Sequence, residues 1–260
     1  MLTKIVSNYR KYNQLLIELV KKDIKNKYRK STIGFFWSLL NPLLMMTIIS
    51  IVFINLFKFN VENYPIYILS GQVCFNFFLE TTTVGMRAII DNDTLLKKVY
   101  VPRYIFVLSQ SVTSLINLFA SFIALYIVML VLRVDLHFMS FLFVVPIILL
   151  YIFSLGVAIF LSALAVKFRD CMYLWGVITT GLFYMTPVIY PISLMEGKKV
   201  GILVLLNPIT NYLTMFRNVM INNTFFSPKS LIVGIVEAAL VLVLGISFFY
   251  KRQDTFILDL

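Results

Sequence analysis

Few residues in this chain carry charge. Asp, Glu, Lys and Arg make up only 13% of its 260 residues, 60% are hydrophobic, and the mean hydropathy is +0.90. A soluble domain of this length buries one core under a polar shell and has no use for so much apolar surface. Cysteine is scarce too, and Cys74 with Cys171 cannot make a disulfide framework. The single histidine, His137, has no His or Cys partner for a metal site. No phosphate-cradling Gly-x-x-x-x-Gly-Lys-[Ser/Thr] loop occurs. The one Gly-Lys pair, Gly197-Lys198, is followed by Lys199 and has Ile192 where the first glycine belongs, so the chain does not bind ATP that way. No acidic or His-carboxylate cluster supplies a metal-dependent lipid-phosphate enzyme, so no catalytic residue, metal ligand or cofactor is assigned. A membrane-embedded transferase lacks its parts.

What is present is a series of long apolar stretches, near 34–57, 65–90, 104–132, 140–166, 172–190 and 231–250. About 20 apolar residues cross the hydrocarbon, and backbone in lipid must satisfy itself, so these stretches predict six helices. A β-barrel would show alternating strands, and Leu115 to Leu132 does not alternate. The positive charge is one-sided. Nine Lys and Arg lie in residues 1–33, four between 87 and 103, two at 167–169 and two at 251–252, so 17 of the 23 fall in alternate gaps. Excess positive charge marks the cytoplasmic face, which puts both termini inside and makes the number of crossings even. The fold class is an all-α polytopic protein of the bacterial inner membrane. This bias also accounts for most of the +11 net charge, so no nucleic-acid partner is expected. The long charged start, with no small-residue cleavage pattern, argues against a cleaved signal.

Three segments outside the spans have character. Within 9–30, Leu15, Leu16, Leu19, Val20, Ile24 and Tyr28 recur at helical spacing, with lysines mostly elsewhere on the wheel; this reads as an amphipathic helix in the membrane interface. It is either a topological anchor or a basic platform that attracts lipid-borne phosphate, through Lys25, Lys27, Arg29 and Lys30. The inner loop 91–103 predicts a short helix capped by Asp91 or Asp93, with Lys97 and Lys98 toward its C-terminal end and Leu95, Leu96 and Val99 on one sticky face. It is a hairpin connector or a docking surface for a cytosolic partner, and the Leu-Leu pair favours docking. The outer segment 187–230 is punctuated by Pro187, Pro191, Pro208 and Pro228, and predicts two short helices that dip into the outer leaflet and return. Tyr212, Phe216, Val219 and Met220 share one face of the second.

Inside the spans, Ser154, Ala158 and Ser162 form a small-residue face for close helix packing. Glu80 stands near the middle of the second span, with Arg87 about two turns along the same face and able to snorkel inward. Intramembrane charge is costly and usually functional, which makes Glu80 the more informative of the two. Among 24 Phe, 14 Tyr and 2 Trp, most belong in lipid-facing belts, while a pore-lining subset could stack on sugar rings. No internal repeat is evident.

With these pieces in view, the chain resembles the permease subunits of ABC-2-type polysaccharide exporters, which carry O-antigen, capsule, teichoic acid or rhamnan. The resemblance rests on Lys25-Asn-Lys-Tyr-Arg-Lys-Ser-Thr-Ile-Gly34, on Phe35-Phe-Trp37-Ser-Leu-Leu-Asn-Pro42 and on Leu95-Leu-Lys-Lys-Val-Tyr-Val-Pro102. It continues through Lys167-Phe-Arg-Asp170, Met185-Thr-Pro-Val-Ile-Tyr-Pro191, Asn207-Pro208, Phe216-Arg217, and Phe256 with Asp259, in family order over essentially the whole chain. It implies one transmembrane domain over 1–260, paired with a second copy or a homologous permease, and bound to two copies of a separate P-loop ATPase that carries the ATP and Mg. It further implies a glycan on a polyprenyl diphosphate carrier, moved between leaflets through a channel lined by the first and fifth spans. Those spans offer Trp37, Phe53, Phe57, Trp175, Phe183 and Tyr184, with Tyr190 near the outer mouth. Arg169 joins the 91–103 loop as an ATPase contact. An ABC-2 exporter of a drug or small lipid shares the architecture. A secondary transporter would need several midplane charges, for which Glu80 alone is thin support.

Overall fold

The chain breaks into helices where its sequence withdraws helical support. The computed structural model describes residues 2–29, 31–57, 63–98, 101–134, 137–195, 197–253 and 256, and among them there is no strand. Helix α1 (Leu2–Tyr28) ends before Gly34, which sits at φ +58° with its N–H bonded to Ser31 Oγ at 2.9 Å. That left-handed residue suits glycine and separates α1 from α2 (Trp37–Phe57). The chain continues through α3 (Tyr64–Arg87), α4 (Asp93–Lys98), α5 (Tyr104–Val131), α6 (Val144–Lys167) and α7 (Cys171–Met185). It finishes with α8 (Lys199–Leu206), α9 (Pro208–Met220) and α10 (Pro228–Arg252). The last two start alike, with proline at the first helical position behind an oxygen cap. Asn207 Oδ1 accepts from Ile209 N–H at 3.1 Å, and Ser227 Oγ from Ser230 N–H at 3.2 Å.

Among the described residues, four helices are long and apolar enough to cross a membrane, and up to six if each bent pair counts as one: Tyr64–Arg87 with Ile90–Lys98 bends by 49°, Lys199–Leu206 with Pro208–Met220 by 78°. The stretch expected to continue to 190 stops earlier. Thr186 stands in extended backbone (φ −98°, ψ 133°) because Pro187 disfavours a helical residue before it, leaving α7 with 15 residues.

Helix α6 is the hub. Ser154, Ala158 and Ser162 are wholly buried, and a Cβ on Gly85 of α3 would stand 2.8 Å from Ala158 Cβ, the close approach a small-residue face permits. On its other side, a Cβ on Gly156 would stand 2.7 Å from the backbone N and Cα of Leu242 in α10. Helices α3 and α5 complete the bundle, with Cys74 of α3 and Cys171 at the start of α7 both buried. At one end, Leu19 of α1, Ile89, Val101, Ile105, Phe249 and Phe256 share a cluster, so both ends of the described chain meet the α3–α5 connection there. At the other end, Tyr212, Phe216, Val219 and Met220 of α9 are all buried against the main core. Helices α2, α7 and α10 leave broad apolar faces uncovered.

Candidate functional site

A carboxylate inside an apolar helix needs a partner, and Glu80 has two from other helices. Its Oε1 accepts from Lys27 Nζ of α1 at 2.7 Å and from Asn117 Nδ2 of α5 at 2.6 Å. Asn117 Oδ1 in turn accepts from Tyr28 O–H at 3.2 Å. Arg87 is exposed and not among these partners, since seven residues raise it roughly 10 Å along the helix. Of the basic cluster, Lys27 is committed to Glu80, Lys25 and Arg29 are exposed, and Lys30 lies outside the described residues. Helix α1 is also tied to the turn before α4, where Lys22 Nζ donates to Asn92 Oδ1 at 3.0 Å. The next residue, Asp23, accepts through Oδ2 from Ser109 O–H of α5 at 3.4 Å. Burial pushes the Asp23 carboxyl above its ordinary value, with Lys22 opposing.

Three cavities lie in series along this face. One of about 420 Å³ is bordered by Lys22, Asp23, Asn26, Lys27, Glu80 and Gln110. The next, about 330 Å³, lies between α2, α3 and α5 and shares Lys27 and Glu80 with the first; Trp37, Asn41, Asn76 and Asn117 line it. A third, about 270 Å³, shares Asn76 with the second and reaches Thr180, Phe183 and Tyr184 of α7. The Lys27–Glu80 pair is therefore the divider between the first two spaces, and Asn76 the threshold of the third.

Polar side chains thus line neighbouring cavities between apolar helices, beside the basic helix α1. The sequence profile of the ABC-2 type transporter family matches residues 14–221. The chain belongs to that family. The O-antigen export system permease protein RfbA of Myxococcus xanthus is 28% identical over 254 residues, covering 97% of this chain and 98% of that protein. Two such permeases of Klebsiella pneumoniae are 27% and 26% identical, each covering 95% of this chain and 96% of their own length.

In this ABC-2 chain the channel candidates divide. Trp37 is 43% exposed at the middle cavity, and Tyr184 is 68% exposed on α7. Phe183 is half-buried, edge-on to Phe75 with centroids 5.1 Å apart, and Tyr190 donates its O–H to the Tyr184 carbonyl at 2.8 Å. Phe53 is half-buried, and the side chain of Phe57 lies outside the described residues. Trp175 turns into its own bundle, where Nε1 donates to Thr82 Oγ1 at 3.2 Å and the ring packs near Phe78.

The loop candidates form a compact group. Asp93 and Lys97 pair across one turn of α4 at 3.6 Å, while Asp91 and Lys98 are exposed. Leu95 and Leu96 are half-buried, spending part of their surface on the chain's own core rather than presenting all of it. Val99 lies outside the described residues. Arg169 is exposed beside Phe168 in the α6–α7 turn.

Two features escaped sequence reasoning. The amides Asn41, Asn76 and Asn117 come from three different apolar helices, and their signal was polarity inside predicted spans. Arg217 counts among the outer-side charges in the sequence yet is only 6% exposed. It donates to Ser70 Oγ (3.2 Å) and to the carbonyls of Pro187 (2.6 Å), Tyr67 (2.8 Å) and Val188 (3.1 Å), and its guanidinium carbon stands 3.5 Å from the centre of the Tyr67 ring. Its apolar neighbours Phe216, Val219 and Met220 were the available sign of burial.

Proposed function

We propose that this chain is the membrane subunit of an exporter driven by a separate ATPase, and that it carries a polyprenyl-diphosphate-linked cell-surface polysaccharide from the inner to the outer leaflet of the bacterial cytoplasmic membrane. The observation that carries this reading is the end-to-end similarity to O-antigen export permeases. In it, α2, α3, α5, α6, α7 and α10 span the bilayer with both termini cytoplasmic, and α8 and α9 re-enter from outside. The one-sided Lys and Arg distribution supports that orientation, as does the clustering of Leu19 of α1 and Phe256 with the α3–α5 connection.

Two copies, or this chain with a homologous permease, assemble with two ATPase subunits that hold the ATP and Mg. Helix α4 and Arg169 contact them. Movement there reaches α1 through Lys22–Asn92, and α1 reaches the membrane helices through Lys27–Glu80. The exposed Lys25 and Arg29 meet the diphosphate as it arrives; Arg recognises phosphate oxygens through forked hydrogen bonds, Lys as a point charge.

Co-expression with the cognate ATPase in a strain lacking its glycan exporter tests the proposal. Surface glycan should return, and the purified complex should hydrolyse ATP while this chain alone does not. Hydrolysis by the chain alone at the rate of the complex would refute it. Arg29→Ala with Lys25→Ala should abolish export while leaving topology and ATPase binding intact, and unchanged export by a correctly inserted double variant would reduce the cluster to a topological anchor.

A further inference from the structure

We infer that Phe256, beyond the end of α10, is a positioning residue for the ATPase stroke. It seats the corner between α4 and α5 against α10 and α6, and gives a push on α4 a path into the membrane helices that does not pass through α1. The inference rests on the exporter reading above and adds to it a route and the residue that holds it.

Helix α10 reaches the interface at Lys251 and Arg252, both exposed, with the Arg252 guanidinium carbon 6.0 Å from the centre of the Phe248 ring. A segment that only left the membrane would stay in water from there. Phe256 returns instead and is 1% exposed. Its ring meets Phe249 of α10 edge-on, with centroids 5.4 Å apart and planes at 85°. The Arg103 guanidinium carbon stands 5.7 Å from the centre of the same ring. Arg103 immediately precedes α5, between the buried Val101 and Ile105. Those two share a cluster with Phe256 and with Ile159 and Ala163 of α6, and Leu95 and Leu96 of α4 pack partly against it. Apolar side chains of four helices therefore close around a ring that lies beyond the last of them.

The place of the ring, rather than its burial alone, points to a role. The polar tie beside α4 is Lys22 to Asn92, and a lysine on its flexible four-carbon stem is a compliant tie. Close-packed side chains are stiffer, and transmit strain because they have no void to absorb it. From Phe249 the path enters α10, whose Leu242 backbone lies so close to Gly156 of α6 that a Cβ there would stand 2.7 Å away. Helices in backbone contact move as a pair, so displacement of α4 reaches α6, the hub of the bundle. The contact of Arg103 with the ring fastens the start of α5 to the same point.

A route of this kind stands on measured coupling, not on proximity. Phe256→Ala and Phe256→Leu are compared with the parent as complexes with the ATPase. Both should co-purify with it and hydrolyse ATP at close to the parent rate. Surface glycan, at matched amounts of complex, should fall about tenfold for Phe256→Ala, within the range by which substitutions between coupled sites act. Phe256→Leu keeps much of the volume and should fall less. A residue that merely held the fold together would lower hydrolysis and export in step. Amide hydrogen exchange of the chain in lipid nanodiscs gives a reading independent of transport: for both variants it should quicken severalfold in α4 and the first turn of α5, and stay at the parent level in α9 at the other end. Export at the parent level, equal falls in hydrolysis and export, or unchanged exchange in α4 would each overturn the inference, and Phe256→Leu decides it where Phe256→Ala fails to accumulate. Export by the parent complex separates this inference from its basis. A parent that exports, with variants that export equally, removes the role of Phe256 and keeps the exporter. A parent that neither exports nor hydrolyses ATP removes the exporter, and exchange in α4 alone then decides whether Phe256 seats it.

Discussion

Replacing Arg217 with methionine should loosen the end of the bundle at which the segment after α7 is fastened. The guanidinium donates four hydrogen bonds, three of them to carbonyls of Tyr67, Pro187 and Val188. Bonds to a charged donor contribute about 1.5–3 kcal/mol each, or roughly 6–12 in all. Dehydrating the cation costs several kcal/mol in return, and among the described residues no carboxylate lies within ion-pair distance to offset that. Methionine fills much of the volume but leaves the buried Val188 carbonyl without its donor and the Pro187 carbonyl with only the Tyr67 O–H, at 3.5 Å. The net loss should be about 3–5 kcal/mol. At about 2–4 °C per kcal/mol for a chain of this size, the midpoint of thermal unfolding should fall by about 6–20 °C. Arg217→Lys should recover less than half, because one ammonium cannot reach donors' positions spread over a planar fork. The assay is thermal challenge of the detergent-solubilised protein followed by size-exclusion chromatography. A fall smaller than about 3 °C for Arg217→Met would refute the reasoning, because the carbonyls would then have found other partners at no net loss.

Gly156→Ala should push α10 away from α6, because the neighbours at 2.7 Å are backbone atoms of Leu242; we expect about 1–3 kcal/mol of destabilisation in the same assay. Glu80→Gln keeps the shape and the Asn117 contact but removes Lys27's counter-charge, and should increase protease cleavage in α1; unchanged cleavage would mean that the pair does not hold the helix. Leu95→Asp with Leu96→Asp should abolish ATPase co-purification with membrane insertion intact, and co-purification at the unmodified level would reduce the loop to a connector.

The apolar runs made most helices legible, since a span's length and backbone satisfaction are local demands. Helices α2, α5, α6 and α10 begin and end within a few residues of the stretches read from the sequence. The end of α7 was harder, because there a run of apolar side chains continues past the point where Pro187 has already stopped the helix. Glu80 stood out by the rarity of charge in its surroundings, but its partners did not. Lys27 and Asn117 lie 53 and 37 residues away, and whether they meet it depends on how three helices rotate against one another. The same rotation turns Trp175 toward Thr82 and leaves Trp37 at a cavity, a difference that two tryptophans in two apolar runs do not display. Arg217 shows the limit most sharply. Counted as charge, it belonged to the outer side; its partners are carbonyls, which a sequence carries everywhere.

Both native thiols are buried, Cys74 at 1% exposure and Cys171 less deeply at 8%. Cys74 has no surface to offer a water-borne maleimide, and Cys171 at the start of α7 has little, so topology mapping can begin from a Cys171→Ser chain that keeps Cys74. A single cysteine placed at an exposed position such as Lys25 or Tyr173 would carry the whole labelling signal, and the side of the membrane from which it reacts would be read against a silent background.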